Sequence, residues 1–404
     1  VKKIALNFGW LLVERGGQVV SALIVSGLIA RSLGVGGYGE FQYALAVVLF
    51  FSSFGLVCGA EVILPRMVDS SRLKARRVIF NAFLLRELAA GCSYGVLLIF
   101  SFFSMGSGRE FWTVAVVGLM VFFREPSAVV TTYLQSQSAA RVASLLGLCA
   151  TLGRLLFVVC VYSLGVNNPI YYAFAWVLEA CLISLGLLYV FRRRFGRAKD
   201  AFCREEIYSL FAQGWPFLVG LIAMYGFLRV DRFLVRFLSS AHELGIYSAS
   251  MQITDNVNQL APLMAVSAAP VLIYGSRNES LVKKHVLFLA LGMGGLALIG
   301  CLSLFSASEW IMGAVFGGEF VYGAKTLSAS LLLCPLVFFE AGLNTYLIKY
   351  GLGQKTILKW GAAAVICVVV GYFTIPSYGG IGAVMAVASG YVFAIGAGVR
   401  WIFR

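Results

Sequence analysis

Four residues near the middle of the chain set the chemical question. Tyr225, Arg229, Arg232 and Arg236 are spaced by 4, 3 and 4 positions, so on an α-helix they stack along one face. Three guanidinium groups on one face repel one another unless something anionic lies beside them. A pyrophosphate is such a partner, because the guanidinium fork matches phosphate oxygens; a carboxylate from a neighbouring helix is another. Asp231 points elsewhere and is expected to pair locally. The following apolar segment carries Gln252, Asp255 and Gln259 at i, i+3 and i+7, with Asn256 and Asn258 close by and Pro262 after them. Such a stripe must line protein or water, since unpaired amides in hydrocarbon are costly. Asp255 serves either as counter-charge to the arginines or as the site of a coupling proton or cation. Glu340 and Asn344 repeat the theme at i, i+4.

The first half holds further ionisable groups inside apolar runs. Arg124 and Glu125 precede Pro126, and being adjacent they point about 100° apart on a helix. Arg154 and Glu179 lie at mid-depth of their segments, and Glu14, Arg15 and Gln18 sit in the first one. Charge within a membrane span marks function by default. The candidate cavity cations are therefore Arg15, Arg124, Arg154, Arg229 and Arg232, with Asp255, Glu340 and Glu179 as coupling or charge-balancing groups. For Arg154, an ion pair with Glu179 or Glu125 is at least as good a reading as ligand contact. Arg66, Arg86 and Glu87 read as interfacial anchors, and His242 and His285 as loop residues. No Cys or His spacing forms a metal site or a disulfide framework, and no Gly-rich nucleotide loop is present.

These residues need a scaffold that tolerates them. The 404 residues are 60% hydrophobic and only 12% charged, with a mean hydropathy of +0.89. A soluble domain has about a quarter charged residues, so the bilayer must be the solvent for most of this chain. Spans of about 20 apolar residues fall at 9–31, 40–63, 78–103, 111–133, 141–164, 170–191, 212–238, 245–273, 284–307, 324–348, 357–375 and 380–402. They read as helices, because an open sheet edge in lipid leaves backbone groups unpaired. Lys2 and Lys3 resemble a signal-peptide n-region, but Glu14 and Arg15 follow, so the segment is taken as the first span. With both termini cytoplasmic, 22 of the 32 Lys and Arg residues fall on the inner side and four, Arg31, Arg109, Arg236 and Lys325, on the outer side. That asymmetry is the positive-inside pattern, and it accounts for the net charge of +14 without nucleic acid. The longest polar connection, 192–207, divides the chain into six-helix halves, 1–198 and 199–404.

The halves echo one another. In ARSLGVGGYGEFQYA, Ala30 to Ala44, and VRFLSSAHELGIYSAS, Val235 to Ser250, Arg31 matches Arg236, Leu33 matches Leu238, Gly39 matches Gly245 and Phe41 matches Tyr247. Repeated six-span units are a transporter plan. Together with Lys2 and Asn7 before the first span, the stretch from Gly55 to Arg66, and RVDRFLV from Arg229 to Val235, these motifs resemble the O-antigen flippase branch of the multidrug/oligosaccharidyl-lipid/polysaccharide exporter superfamily. The resemblance covers the whole chain in span count and topology. It implies an all-α polytopic membrane protein with about twelve transmembrane helices in two six-helix bundles around a central cavity. It also implies a bacterial inner-membrane flippase that moves an undecaprenyl-pyrophosphate-linked oligosaccharide from the cytoplasmic to the periplasmic leaflet. A polysaccharide polymerase and a chain-length regulator are the implied protein partners, and no cofactor is implied.

Two other functions compete. A cation-coupled small-molecule or drug exporter of the same superfamily needs acidic groups facing its cavity; the three-arginine face argues against it, while Asp255 and Glu340 leave it open. A membrane glycan polymerase or ligase needs a substantial outer loop carrying catalytic groups, and the short outer loops supply none.

Overall fold

The computed structural model describes residues 2–67, 72–137, 140–196, 202–275 and 278–403, with backbone alone over 2–15 and at 72, 140 and 271. Every regular element among these residues is helical. The α-helices are α1 Lys2–Ser52, α2 Ala60–Met67, α3 Arg72–Met105, α4 Arg109–Gly118, α5 Met120–Ser136, α6 Ala140–Ser163, α7 Pro169–Phe195 and α8 Arg204–Leu238. They continue as α9 Ala241–Asn258, α10 Leu260–Ala269, α11 Glu279–Phe305, α12 Ser308–Phe316, α13 Ala324–Leu331, α14 Cys334–Lys349 and α15 Gly353–Phe403.

Eight stretches among the described residues are long and apolar enough to cross a bilayer. Two of these are double crossings. α1 is interrupted at Gly34 (φ 66°, ψ 177°) and α15 at Gly379 (φ 55°, ψ −130°), backbone conformations that only glycine adopts without strain. Each falls between two of the spans expected from hydropathy. The remaining crossings are α8 and the run from α9 through α10 to Tyr274, whose intramembrane charges and amides lower their hydropathy. The chain is thus an all-helical polytopic membrane protein with about twelve spans.

Proline explains two of the breaks. Proline lacks an N–H and its ring clashes with the carbonyl four residues earlier. Pro262 faces the carbonyl of Asn258, where α9 ends and α10 begins after Gln259. Pro335 faces that of Leu331, where α13 gives way to α14. After α10 a π-helical turn, Pro270–Tyr274, carries the chain on, and the ring of His285 on α11 bonds to its Leu272 carbonyl at 2.7 Å. Both histidines, expected in loops, therefore lie on helices, His242 on α9 and His285 on α11.

The described chain divides into two units. One comprises residues 1–33 and 47–222, the other 34–46 and 223–404. The expected boundary at 198/199 lies outside the described residues. The N-terminal unit contains an unwound stretch between the 3-10 turn Ser53–Gly55 and α2, where Cys58 takes a positive φ of 54°. Unwound backbone at membrane depth survives only where protein or a cavity satisfies it. Arg86 of α3 does this. Its guanidinium donates to the carbonyls of Val57 (3.0 Å), Cys58 (3.1 Å) and Glu125 (3.0 Å). Arg86 is thus a buried clasp and not the interfacial anchor expected from the sequence. Arg66 does reach out, to Glu206 at 2.6 Å and Ser209 at 2.8 Å.

In the C-terminal unit the two echoed hairpins pack on each other. A Cβ on Gly39 would lie 2.1 Å from the Ala241 carbonyl oxygen and 2.8 Å from the Gly245 nitrogen; one on Gly245 would lie 2.0 Å from the Val35 carbonyl oxygen. The matched glycines are therefore the point where backbone meets backbone, the small-residue contact that membrane helices use in place of hydrophobic driving force. Gly39→Ala or Gly245→Ala should each destabilise by about 1–3 kcal/mol, the usual cost of overpacking, read as a lowered Tm in detergent. Gly36→Ala, whose Cβ meets nothing within 4 Å, is the control and should leave Tm unchanged; equal Tm values for all three would refute the close contact.

Candidate functional site

The richest polar cluster is built in the C-terminal unit by α8, α9, α14 and α15. Its centre is Arg232. One guanidinium nitrogen donates to both Asp231 oxygens, at 3.1 and 3.3 Å, and the other to Asp255 at 2.6 Å. The Tyr247 hydroxyl donates to Asp231 at 2.6 Å. Side-chain exposure is 5% for Arg232 and 2% for Asp231, against 32% for Asp255. Arg232 and Asp231 are therefore interior, while Asp255 reaches the edge of a cavity.

Arg229 sits one turn below on the same face of α8. Among the described residues its ion-pair contact is to Asp255 at 3.5 Å, longer than a normal charge-assisted hydrogen bond. Its Nε is buried with no hydrogen-bond partner, and so is Oδ1 of Asn258. Arg236, at the end of α8, lies over the Tyr43 ring at 5.8 Å, away from this cluster.

A second charged pair closes the other side. Lys359 of α15 is buried and donates to Glu340 and to Asn344 at 3.1 Å, with the Trp360 ring centroid 4.8 Å from its ammonium. The charge count assigns Lys359 to the inner side, at the edge of the expected span 357–375; the helix begins earlier, at Gly353, and carries the side chain into the interior, where it is buried. This is the residue that sequence reasoning missed. The signal for it was indirect: Glu340 and Asn344 at i, i+4 require a cation.

Between these pairs is a cavity of about 400 Å³. Its polar lining includes Arg229, Asp255, Asn258, Gln259, Glu340 and Asn344; its aromatic lining is Tyr274, Trp360 and Tyr391. Phe227 packs behind, its ring 5.2 Å from Trp360 and 5.0 Å from Tyr391, which is possible because a Cβ on Gly390 would stand 2.3 Å from the Phe227 ring. Three cations (Arg229, Arg232, Lys359) and three carboxylates (Asp231, Asp255, Glu340) balance in formal charge. The arrangement can accept a polar ligand against aromatic faces. It offers one loosely engaged guanidinium as a donor and one unpaired amide oxygen as an acceptor.

The other candidates lie in the N-terminal unit. Arg154 on α6 pairs with Glu179 on α7 at 2.6 Å; Thr151 donates to the same carboxylate at 2.9 Å, and the Trp176 ring centroid is 5.2 Å from the guanidinium. Arg124 is exposed on α5 while Glu125 is turned inward and buried. The side chain of Arg15 lies outside the described residues. The structure thus brings Arg229, Arg232, Asp255 and Glu340 together, and leaves Arg124, Arg154 and Glu179 in the other unit.

Helices of this number and order, with paired charges in their interior, define a polytopic membrane-protein fold. Solved structures share it. An inward-facing multidrug resistance MATE family transporter of the MOP superfamily superposes with a TM-score of 0.74 at 16% identity, covering 96% of this chain and 94% of that one. The lipid II flippase MurJ, in an inward closed conformation, gives 0.76 at 12% identity, covering 99% and 88%. A eukaryotic MATE transporter gives 0.64 at 13% identity, covering 100% and 95%. No curated protein matches the chain. Residues 4–274 match the family described as polysaccharide biosynthesis protein, and the chain belongs to that family.

The Arg232 network carries a stability prediction. Arg232→Met leaves Asp231 buried without its cation and should cost about 3–5 kcal/mol, read by denaturant unfolding in detergent. Asp231→Leu combined with Arg232→Met removes both charges and should recover most of that loss. A double variant no more stable than the single one would mean that the pair is not the unit of stability.

Proposed function

We propose that this chain is a flippase that translocates an undecaprenyl-pyrophosphate-linked oligosaccharide, an O-antigen or related surface polysaccharide unit, by alternating access. The observation that carries the reading is the pair of unmet groups at the cavity. The Nε of Arg229 is a donor without an acceptor, and Oδ1 of Asn258 is an acceptor without a donor. A phosphate oxygen answers the first and a sugar hydroxyl the second. Trp360 and Tyr391 add faces against which sugar rings pack. Membership of a polysaccharide biosynthesis family points to the same class of cargo. On this reading the protein transports and does not catalyse.

The setting follows from the charge asymmetry. The excess of Lys and Arg on one side supports both termini being cytoplasmic and a bacterial inner membrane as the site of action. A polymerase and a chain-length regulator are the proposed partners that take up the delivered unit. The split into six-helix halves at 198/199 remains part of the proposal.

The alternative is a cation-coupled exporter of small molecules, and it rests on Asp255 and Glu340, both of which line the cavity. Each already holds a cation of the chain, Arg229 and Arg232 for Asp255 and Lys359 for Glu340. A cationic cargo has to displace these internal partners, whereas an anionic cargo meets Arg229 directly. The balance favours the anion.

Complementation tests the reading, in a strain that builds the lipid-linked unit but lacks its own flippase. The wild type should restore surface glycan. Arg229→Gln, at equal membrane abundance and equal Tm, should lower it about tenfold or more, the effect of losing one charge-assisted contact worth about 1.5–3 kcal/mol. Full activity of Arg229→Gln would remove the site; restored export of a cationic dye with no surface glycan would favour the exporter.

A further inference from the structure

A second concavity lies in the N-terminal unit, and its chemistry differs from that of the first. It measures about 450 Å³ and is walled by Phe80 and Phe83 of α3, Val130 of α5, and Leu188 and Phe191 of α7, with Arg192 as the one polar side chain among the described residues that line it. Ion pairs, amides and unmet hydrogen-bonding groups of the kind that mark the C-terminal cavity are absent from this lining. Its interior offers nothing to water or to a sugar, so its occupant is apolar.

The position of Arg192 narrows the occupant. It is exposed in the last turn of α7 beside exposed Arg193 and Arg194, and Gly196, at φ 72°, stops the helix there with its N–H on the Arg192 carbonyl. The walls Phe80 and Phe83 come from the part of α3 that follows Lys74, Arg76 and Arg77. The groove therefore lies at one end of the unit, where apolar walls give way to a cationic margin. An apolar interior with a positive rim complements an amphiphile with a hydrocarbon chain and an anionic head. Two sources share that chemistry in a membrane, a glycerophospholipid and a polyprenyl phosphate. The groove is lined from within about three turns of one end of α3, α5 and α7, so it takes the head-proximal part of one chain and leaves a second chain to the bilayer.

We propose that this groove is a binding site for one acyl chain of an anionic glycerophospholipid whose phosphate rests on Arg192. The site is independent of the cargo reading for the C-terminal cavity. Bound there, the lipid bridges α3, α5 and α7 and anchors this end of the unit at the level of the headgroups.

Native mass spectrometry of the full chain, released from detergent after exchange with phosphatidylglycerol or with phosphatidylcholine, reads the site directly. Phosphatidylglycerol should be retained on the wild type and phosphatidylcholine should not. Arg192→Gln changes an exposed residue, so it should fold, and it should lower retention about fivefold, as expected for one basic residue near an anionic headgroup. Phe83→Trp, which fills the groove, should lower retention without altering the rim. Equal retention of the two lipids, or unchanged retention in both variants, would overturn the proposal. Displacement of phosphatidylglycerol by an equimolar polyprenyl phosphate would overturn it as well, by assigning the groove to an isoprenoid chain.

Discussion

An ionised side chain placed inside a bilayer must have its counter-charge built into the fold, and the Asp231–Arg232–Asp255 chain of contacts is where this protein meets that demand. Desolvating either charge costs several kcal/mol, and the attraction between them offsets this only with close geometry and further hydrogen bonds. The geometry is close, and Tyr247 supplies the extra bond to Asp231. Removing any one member leaves an unmatched charge at depth. The network therefore fixes the register of α8 against α9, and with it the positions of everything else that faces the cavity. Lys359, Glu340 and Asn344 do the same for α15 against α14.

A second constraint runs parallel to the first. Backbone carbonyls freed by a helix break also need donors where water is scarce. The breaks are placed where donors exist or where a cavity opens. Arg86 caps the carbonyls of the 56–59 interruption, and Lys349 donates to the carbonyl of Ile273 in the π-helical turn at 2.7 Å. Pro262 breaks the helix beside the cavity and lines it. Cationic side chains in this fold thus have two kinds of partner, carboxylates and carbonyls.

Both constraints decide what could be read from the sequence. The spans were legible because hydropathy is a local property, and the two 51-residue stretches α1 and α15 are each interrupted by a positive-φ glycine between their expected halves. The face formed by Arg229 and Arg232 was legible from the 4-3-4 spacing, since helical period is also local. Which anion meets those arginines was not. Spacing cannot tell a carboxylate on the next helix from a phosphate, and the structure supplies Asp231 and Asp255. Lys359 was misplaced because a lysine after a polar turn has the same local signature whether it reaches the interface or turns inward to Glu340, 19 residues away in sequence. Arg86 was misplaced for the same reason: its partners are carbonyls, and a carbonyl leaves no mark in a sequence. The contact of Gly39 with Gly245 appeared only as a faint repeat, and its meaning required the packing.

What distinguishes Arg229 from its neighbours is therefore incompleteness. Arg232 and Lys359 are each held by close acceptors, and exchanging those for a ligand's oxygens offers little net gain. Arg229 shares Asp255 with Arg232 at the longer distance, so an incoming anion can add bonds without first breaking strong ones. Binding an anion to Arg229 also weakens its hold on Asp255, and by linkage any cation or proton that engages Asp255 changes the affinity for the anion by the same factor. A cavity balanced in formal charge, with a single under-coordinated guanidinium, is thus better suited to picking up and releasing an anionic head than one lined by unopposed cations, which would hold the head too tightly to let it go.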